Sequence, residues 1–263
     1  MVTVWALTSE AASDSDLWEF WAAQNPASQV TVDHTDWQTF LGAQVVASKD
    51  GVNRIAYEKV PPEARGKLAD YIKNLSMLAP RTFNRNEQRA YWINLYNALT
   101  VNIILEHYPI ESILDIKISP GFFASGPWGK KLVTIEGQEV SLDDIEHRIL
   151  RPIWQDNRVH YGVNCAAVGC PNLNKSAYTA ANTDQLLSAA ARTYINHPRG
   201  VRVEDGALHV SSIFDWYKVD FGGNDEGVIA HLKKYANPAL LKMLIGMTKI
   251  EDHAYDWALN RIP

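Results

Sequence analysis

Cysteine is scarce in this chain of 263 residues: there are two, Cys165 and Cys170. Two cysteines cannot build a disulfide scaffold, and they do not report a redox compartment. No run of five or six like charges occurs, and the net charge is −5. The basic footprint that a nucleic-acid partner needs is therefore missing. Nor is there a stretch of roughly 18 uninterrupted apolar residues, the longest being broken by Asn, Glu or Lys. No membrane span is expected, and the chain reads as soluble. Internal repeats and low-complexity linkers are absent too. The start, MVTVWALTSEAASDSDLW, lacks a charged n-region and a proper h-region, so it is not an intact signal peptide. It fits a mature chain with an added Met, or a native cytosolic start.

What is present can build a full core: 46% of residues are hydrophobic, with nine Trp and eleven Tyr. The length suits one domain with an appendage. We expect a helical N-terminal extension over residues 1–34 and a single α+β domain over 35–263. The strongest element is FNRNEQRAYWINLYNALTVNIILEHYP. Asn84 or Asn86 can cap it, Pro109 ends it, and it has almost no polar face, which predicts a buried central helix over about 86–107. PPEARGKLADYIKNLSML reads as an amphipathic helix. KKLVTIEGQEV reads as a hairpin about Gly137, and VRVEDGALHV as one with Asp205-Gly206 at its tip. Ser141 caps a helix beginning LDDIEHRIL, and RVHYGVNCA reads as a strand from Arg158 to about Asn164. Helices outnumber short strands, expected to form a small antiparallel sheet.

The chemistry concentrates in HYGVNCAAVGCPNL, residues 160–173. On a strand, His160, Gly162 and Asn164 share one face, and Cys165 falls with the buried Tyr161 set. Cys170 precedes Pro171, which suits the first position of a helical turn and puts Cys170 at its N-cap. Free N–H groups there would lower its thiol pKa and could bind an oxyanion. The plain alternatives are a disulfide between the cysteines, which needs a sharp fold-back, or two buried thiols. His-x4-Cys-x4-Cys is not a usual zinc spacing, and four ligands are not in sight; no metal is expected.

Three other groups stand out. Asn94 and Asn97 lie on the apolar helix, where amides are costly unless bonded; they tie down a buried loop or reach the cleft as oxyanion or substrate donors. Trp128 is a further cleft candidate. In SLDDIEHRIL most acids read as a solvated helix face, with Glu146 kept as the candidate orienter of His160. Asp215, Asp220 and Asp256 sit beside aromatics, where carboxylates often anchor Trp N–H or Tyr hydroxyl groups; Asp220 and Asp256 are reserve orienters.

NEQRAYWINLYNAL, SLDDIEHRILRP, RVHYGVNCAAVGCPNL, SSIFDWYKVDFG and YDWALN, in that order, resemble the landmarks of the domain-of-unknown-function 547 family from about residue 35 to 260. The resemblance implies a bacterial, exported and periplasmic protein whose leader is missing. It also implies a relationship to papain-like cysteine hydrolases. There the usual order is nucleophile, base, orienting residue; here His160 precedes Cys170, which implies a rearranged or permuted core. A plant branch resembling the family carries serine at the Cys170 position, which favours a non-catalytic alternative. The expectation is an α+β thiol hydrolase of an amide or peptide bond in a small peptide, of γ-glutamyl, glutathione-like kind by analogy of fold. Cys170 would be the nucleophile, His160 the base and Glu146 the orienter, with no cofactor. The rivals are a peptide- or protein-binding module with inert cysteines, and a thiol redox protein in which Cys165 resolves a bond made by Cys170.

Overall fold

A computed structural model describes residues 15–121 and 125–262. The central element is α3 (Arg85–His107), buried on all sides from Tyr91 to Leu105 except at Asn102. Asn84 caps it by accepting the Asn86 and Glu87 N–H groups. Around it pack α1 (Thr35–Gln44), whose inner face is Trp37, Phe40 and Leu41, and α2 (Pro62–Ser76), which buries Leu68, Tyr71, Ile72 and Leu75. Two hairpins flank them: β1 (Val45–Ala47) with β2 (Asn53–Ile55), and β3 (Val133–Ile135) with β4 (Gln138–Val140). The second turns on Glu136 and Gly137, both at positive φ.

The reading of residues 1–34 as an extension falls partly on 1–14, outside the described residues. From residue 15 the chain is fastened to the rest of the molecule. Trp21 is buried edge-on against Trp92 at 5.0 Å, and the Asp16 and Trp18 N–H groups bond the carbonyls of His147 and Arg148.

After β4 the chain forms a π-helical segment, Asp144–Leu150, running on into α4 (Arg151–Trp154). The expected strand at 158–164 is instead a 3-10 helix, Asn157–Tyr161. Asp156 accepts the Arg158 N–H at 2.9 Å and starts a turn where an extended chain was expected. Then come α5 (Thr183–Ile195), β5 (Val201–Glu204), β6 (Ala207–Ser211), α6 (Ile213–Trp216), α7 (Asp225–Tyr235), α8 (Pro238–Leu244) and β7 (Asp252–Ala254). β5 and β6 form the expected hairpin, but β7 adds to β6 in parallel. The antiparallel expectation fails there because the chain passes through three helices before it returns. Among the described residues no helix is long and apolar enough to cross a membrane.

Buried side chains form two clusters. One surrounds α3; the other joins Tyr161, Tyr194, Phe214, Phe221 and Leu232. The cysteine loop runs along their seam, with Tyr161 in the second cluster and Val163 and Ala166 in the first.

Candidate active site

The loop bearing the cysteines is fastened from two sides. From α3, Asn97 donates to the Gly162 carbonyl and accepts the Asn164 N–H, both at 2.8 Å. Asn164 in turn donates to Pro171 O at 2.7 Å and accepts the Ala166 N–H at 2.9 Å. Asn94 makes the same double bond to the backbone of Tyr178. Both helix amides thus spend their side chains on buried loop backbone, which makes them tolerable on an apolar helix. From the C-terminal side, the Val168 and Gly169 N–H groups donate to the carbonyls of Ala258 and Asp256, and the Asn260 N–H to that of Ala166, all at 2.8 Å. The approach is close enough that a Cβ on Gly169 would lie 2.7 Å from the Asp256 nitrogen. The Asp256 carboxylate accepts from the Ala258 N–H, and its place in this seam makes it a loop anchor.

This fastening makes the two cysteines unequal. Both are free thiols. Cys170 is only 4% exposed, and no helix begins after it. Its N–H bonds the Ala167 carbonyl at 3.1 Å, and Pro171 has no N–H to offer. The amide cradle expected at 170–172 is therefore not formed. Cys165 is part-exposed and precedes Ala166, which takes a left-handed backbone (φ +60°). Its Sγ lies 3.0 Å from the Tyr255 hydroxyl, and its N–H donates to Cys170 Sγ at 3.1 Å. Hydrogen bonding from the Cys170 thiol, against the effect of burial, and from Tyr255 and the Ala167 N–H lowers the Cys165 thiol below its ordinary value. Burial and the bond to Cys165 push Cys170 well up. Of the two thiols, Cys165 is the more easily ionised.

The histidine side is built from charge. His160, itself buried, is stacked on Tyr217 at 4.0 Å and bonds Asp220 Oδ2 through Nε2 at 2.7 Å. Arg151 Nε holds the same oxygen at 2.6 Å. Glu146 Oε1 stands 3.5 Å from His160 Nδ1, which is buried and makes no hydrogen bond. The structure thus brings Glu146, His160 and Asp220 together, and Asp220 makes the short orienting bond. It joins neither ring nitrogen of His160 to a cysteine sulfur. Tyr96 donates to Glu146 Oε2 at 3.1 Å. Burial alone would raise Glu146, but the nearby His147, His160 and Arg151 outweigh it, and its carboxyl falls to about 2. Against the same opposition, the bonds from His160 and Arg151 bring Asp220 to about 2. The field of Glu146 also reaches the Cys165 thiol, which it pushes upward.

Sequence spacing separates Glu146 from His147 by a helical step and leaves His147 on a solvated face. Here His147 is buried, and Arg151 bonds its Nδ1 at 3.1 Å. The segment is a π-helix, in which the Arg151 N–H bonds the Glu146 carbonyl five residues back while the Arg151 side chain reaches His147 and Asp220. Arg151 and Tyr255 are site residues that sequence reasoning misses. Tyr255 adjoins the Asp256-Trp257 pair that composition draws attention to, but no local pattern brings residue 255 to residue 165. Trp128 lies with its ring 5.9 Å from that of Trp257. Gly126, at φ +70°, makes room for it, since a Cβ there would meet the Trp128 ring at 1.9 Å. Among the described residues no three His, Cys, Asp or Glu side chains are grouped to hold a metal ion.

No curated protein and no solved structure matches this chain. Residues 80–195, which carry α3, Glu146, His160 and both cysteines, match the family described as a protein of unknown function, DUF547.

Proposed function

We propose that the chain is a thiol hydrolase of amide or peptide bonds in small peptides, with Cys165 in the role that spacing alone gives to Cys170. One observation carries this reading: the sulfur of Cys165, a part-exposed residue, lies 3.0 Å from a Tyr255 hydroxyl and beside a second thiol, on a loop tied down from both sides. The thiolate attacks the carbonyl carbon, a thioester forms as the C–N bond breaks, and water then cleaves the thioester to release the acid. The leaving amine takes a proton. His160 in its protonated form is the donor we assign: Asp220 orients it through Nε2, and Nδ1, which makes no hydrogen bond and faces Glu146 Oε1 at 3.5 Å, gives the proton and regains it from water when the thioester is cleaved. A papain-like, rearranged core is part of this proposal; α3 stands in the place of a central helix but carries no nucleophile.

The test is the rate of iodoacetamide alkylation against pH, with the labelled residue located by mass spectrometry. The expected label is on Cys165, titrating below the ordinary thiol value of about 8.5. A slow, ordinary profile that Cys165→Ala leaves unchanged overturns the reading. The closeness of the two thiols favours one second reading, a dithiol redox centre. Under it Cys170 is indispensable to turnover; under hydrolysis Cys170→Ser keeps activity.

A further inference from the structure

Tyr255 does more than touch the reactive sulfur. Its ring lies 4.8 Å from that of Trp216 and 4.7 Å from that of Trp257, which are themselves near-parallel at 27° and 5.6 Å apart. Trp128 closes the row edge-on to Trp257. The four rings come from three distant segments, and none is fully buried. Trp216 and Tyr255 rest on one hydrophobic cluster, Trp128 and Trp257 on the other, so the row lies over the seam where Cys165 sits. Part-exposed aromatic side chains of this kind are what line the sites of small ligands.

Resting on the thiol-hydrolase reading, we infer that this row is the subsite for a flat, apolar side chain of the substrate, one residue away from the bond that Cys165 attacks. Two points fix the occupant. A thiolate attacks a carbonyl and not an acetal, so the ring laid on the row belongs to a peptide or other acyl amide and not to a glycan. Tyr255 meets the sulfur with its hydroxyl and belongs to the row with its ring, so the attacked carbonyl and the docked ring are separated by about the length of one side chain. An incoming ring gains stacked or edge-on contacts with rings already so arranged, in addition to its own burial.

The test uses the full chain and two small probes, N-acetyl-phenylalaninamide and N-acetyl-alaninamide. Binding is read by tryptophan fluorescence and by protection of the thiol from iodoacetamide. The phenylalanine probe is expected to bind about tenfold or more tighter than the alanine probe, and Trp257→Ala to erase that preference. Equal binding of the two probes, or no binding, overturns the subsite. The wild-type comparison decides this even where the variant does not fold. The two readings fail separately: a low-pH thiol without phenylalanine preference leaves the hydrolase and removes the subsite. An ordinary thiol with a preference that Trp257→Ala erases does the reverse.

Discussion

The segment 80–195 and the segment 196–262 contribute unlike things to one site. The first holds the groups that could react: Glu146, His160 and both cysteines, attached to a buried helix through Asn97. The second holds what sets their state. Asp220 fixes His160, Tyr255 touches the Cys165 sulfur, and residues 256–260 pin the loop by backbone bonds. The first segment already carries two of the three donors to the Cys165 sulfur, the Cys170 thiol and the Ala167 N–H. The C-terminal segment adds the third, the Tyr255 hydroxyl, and holds the imidazole through Asp220.

The sharpest break of this comparison lies within the first segment. Cys165→Ala is expected to abolish hydrolysis of peptide amides, a loss of about a thousandfold or more, since the nucleophile is gone. Cys170→Ser keeps a hydroxyl donor beside Cys165 and loses far less. Equal losses in a turnover assay would mean the two cysteines act as a unit, and the division between them would fail.

In the second segment the largest effect belongs to Asp220. Its removal leaves His160 Nε2 and the buried Arg151 without their shared carboxylate. Asp220→Ala is expected to cost about 3–5 kcal/mol in a urea titration. The same carboxylates give a pH signature. Glu146 and Asp220 titrate near 2 in the folded chain, against ordinary values of 4.5 and 3.8. Below about pH 4.5 the unfolded chain therefore binds more protons than the folded one. Stability contributed by the pair is complete at neutral pH and drains as pH falls from about 4.5 to 2. Glu146→Gln is expected to flatten that fall in the urea midpoint; an unchanged slope would show that other carboxylates carry it.

Much of this was legible in the sequence where one residue's neighbours in the chain decide its fate. The apolar surround of α3, a cap at Asn84 or Asn86, and the hairpins at Gly137 and Asp205-Gly206 follow from periodicity and turn chemistry alone. The 3-10 helix at 157–161 was not legible, because a single side chain, Asp156, competes there with an extended pattern. The π-helix was not either, so Glu146 and His147 fall on different faces by α-helical arithmetic. The inequality of the cysteines was legible in kind but not in direction. A Cys-Pro step suggests an N-cap, yet the groups that lower a thiol here come from Tyr255, ninety residues along the chain, and from the other cysteine.

Asn97 tests the tether between α3 and the loop. Asn97→Ala strands the buried Gly162 carbonyl and Asn164 N–H together, at an expected cost of about 2–4 kcal/mol. Asn97→Asp, which keeps the acceptor for Asn164 and loses the donor to Gly162, separates the two bonds. A tether that matters only for folding changes the urea midpoint and leaves the Cys165 alkylation profile where it was. Movement of both shows that loop position and thiol acidity are one property.

The smallest expected effect is the most direct probe of how the second segment acts on the first. Tyr255→Phe removes one hydroxyl 3.0 Å from Cys165 Sγ and keeps the ring in its place among Trp216 and Trp257. If the hydroxyl donates to the thiolate, its loss raises the Cys165 pKa by about one unit, and the alkylation curve shifts to higher pH with its plateau kept. The Cys170 thiol and the Ala167 N–H remain as donors, so the pKa stays below the ordinary value. Adding Cys170→Ala to Tyr255→Phe takes away two of the three donors, and the thiol should then approach the ordinary value of about 8.5. Because the donors share one sulfur, the double variant's shift is expected to differ from the sum of the single shifts. A curve unmoved by Tyr255→Phe would assign the acidity of Cys165 to its own loop and leave the C-terminal segment with the backbone bonds alone.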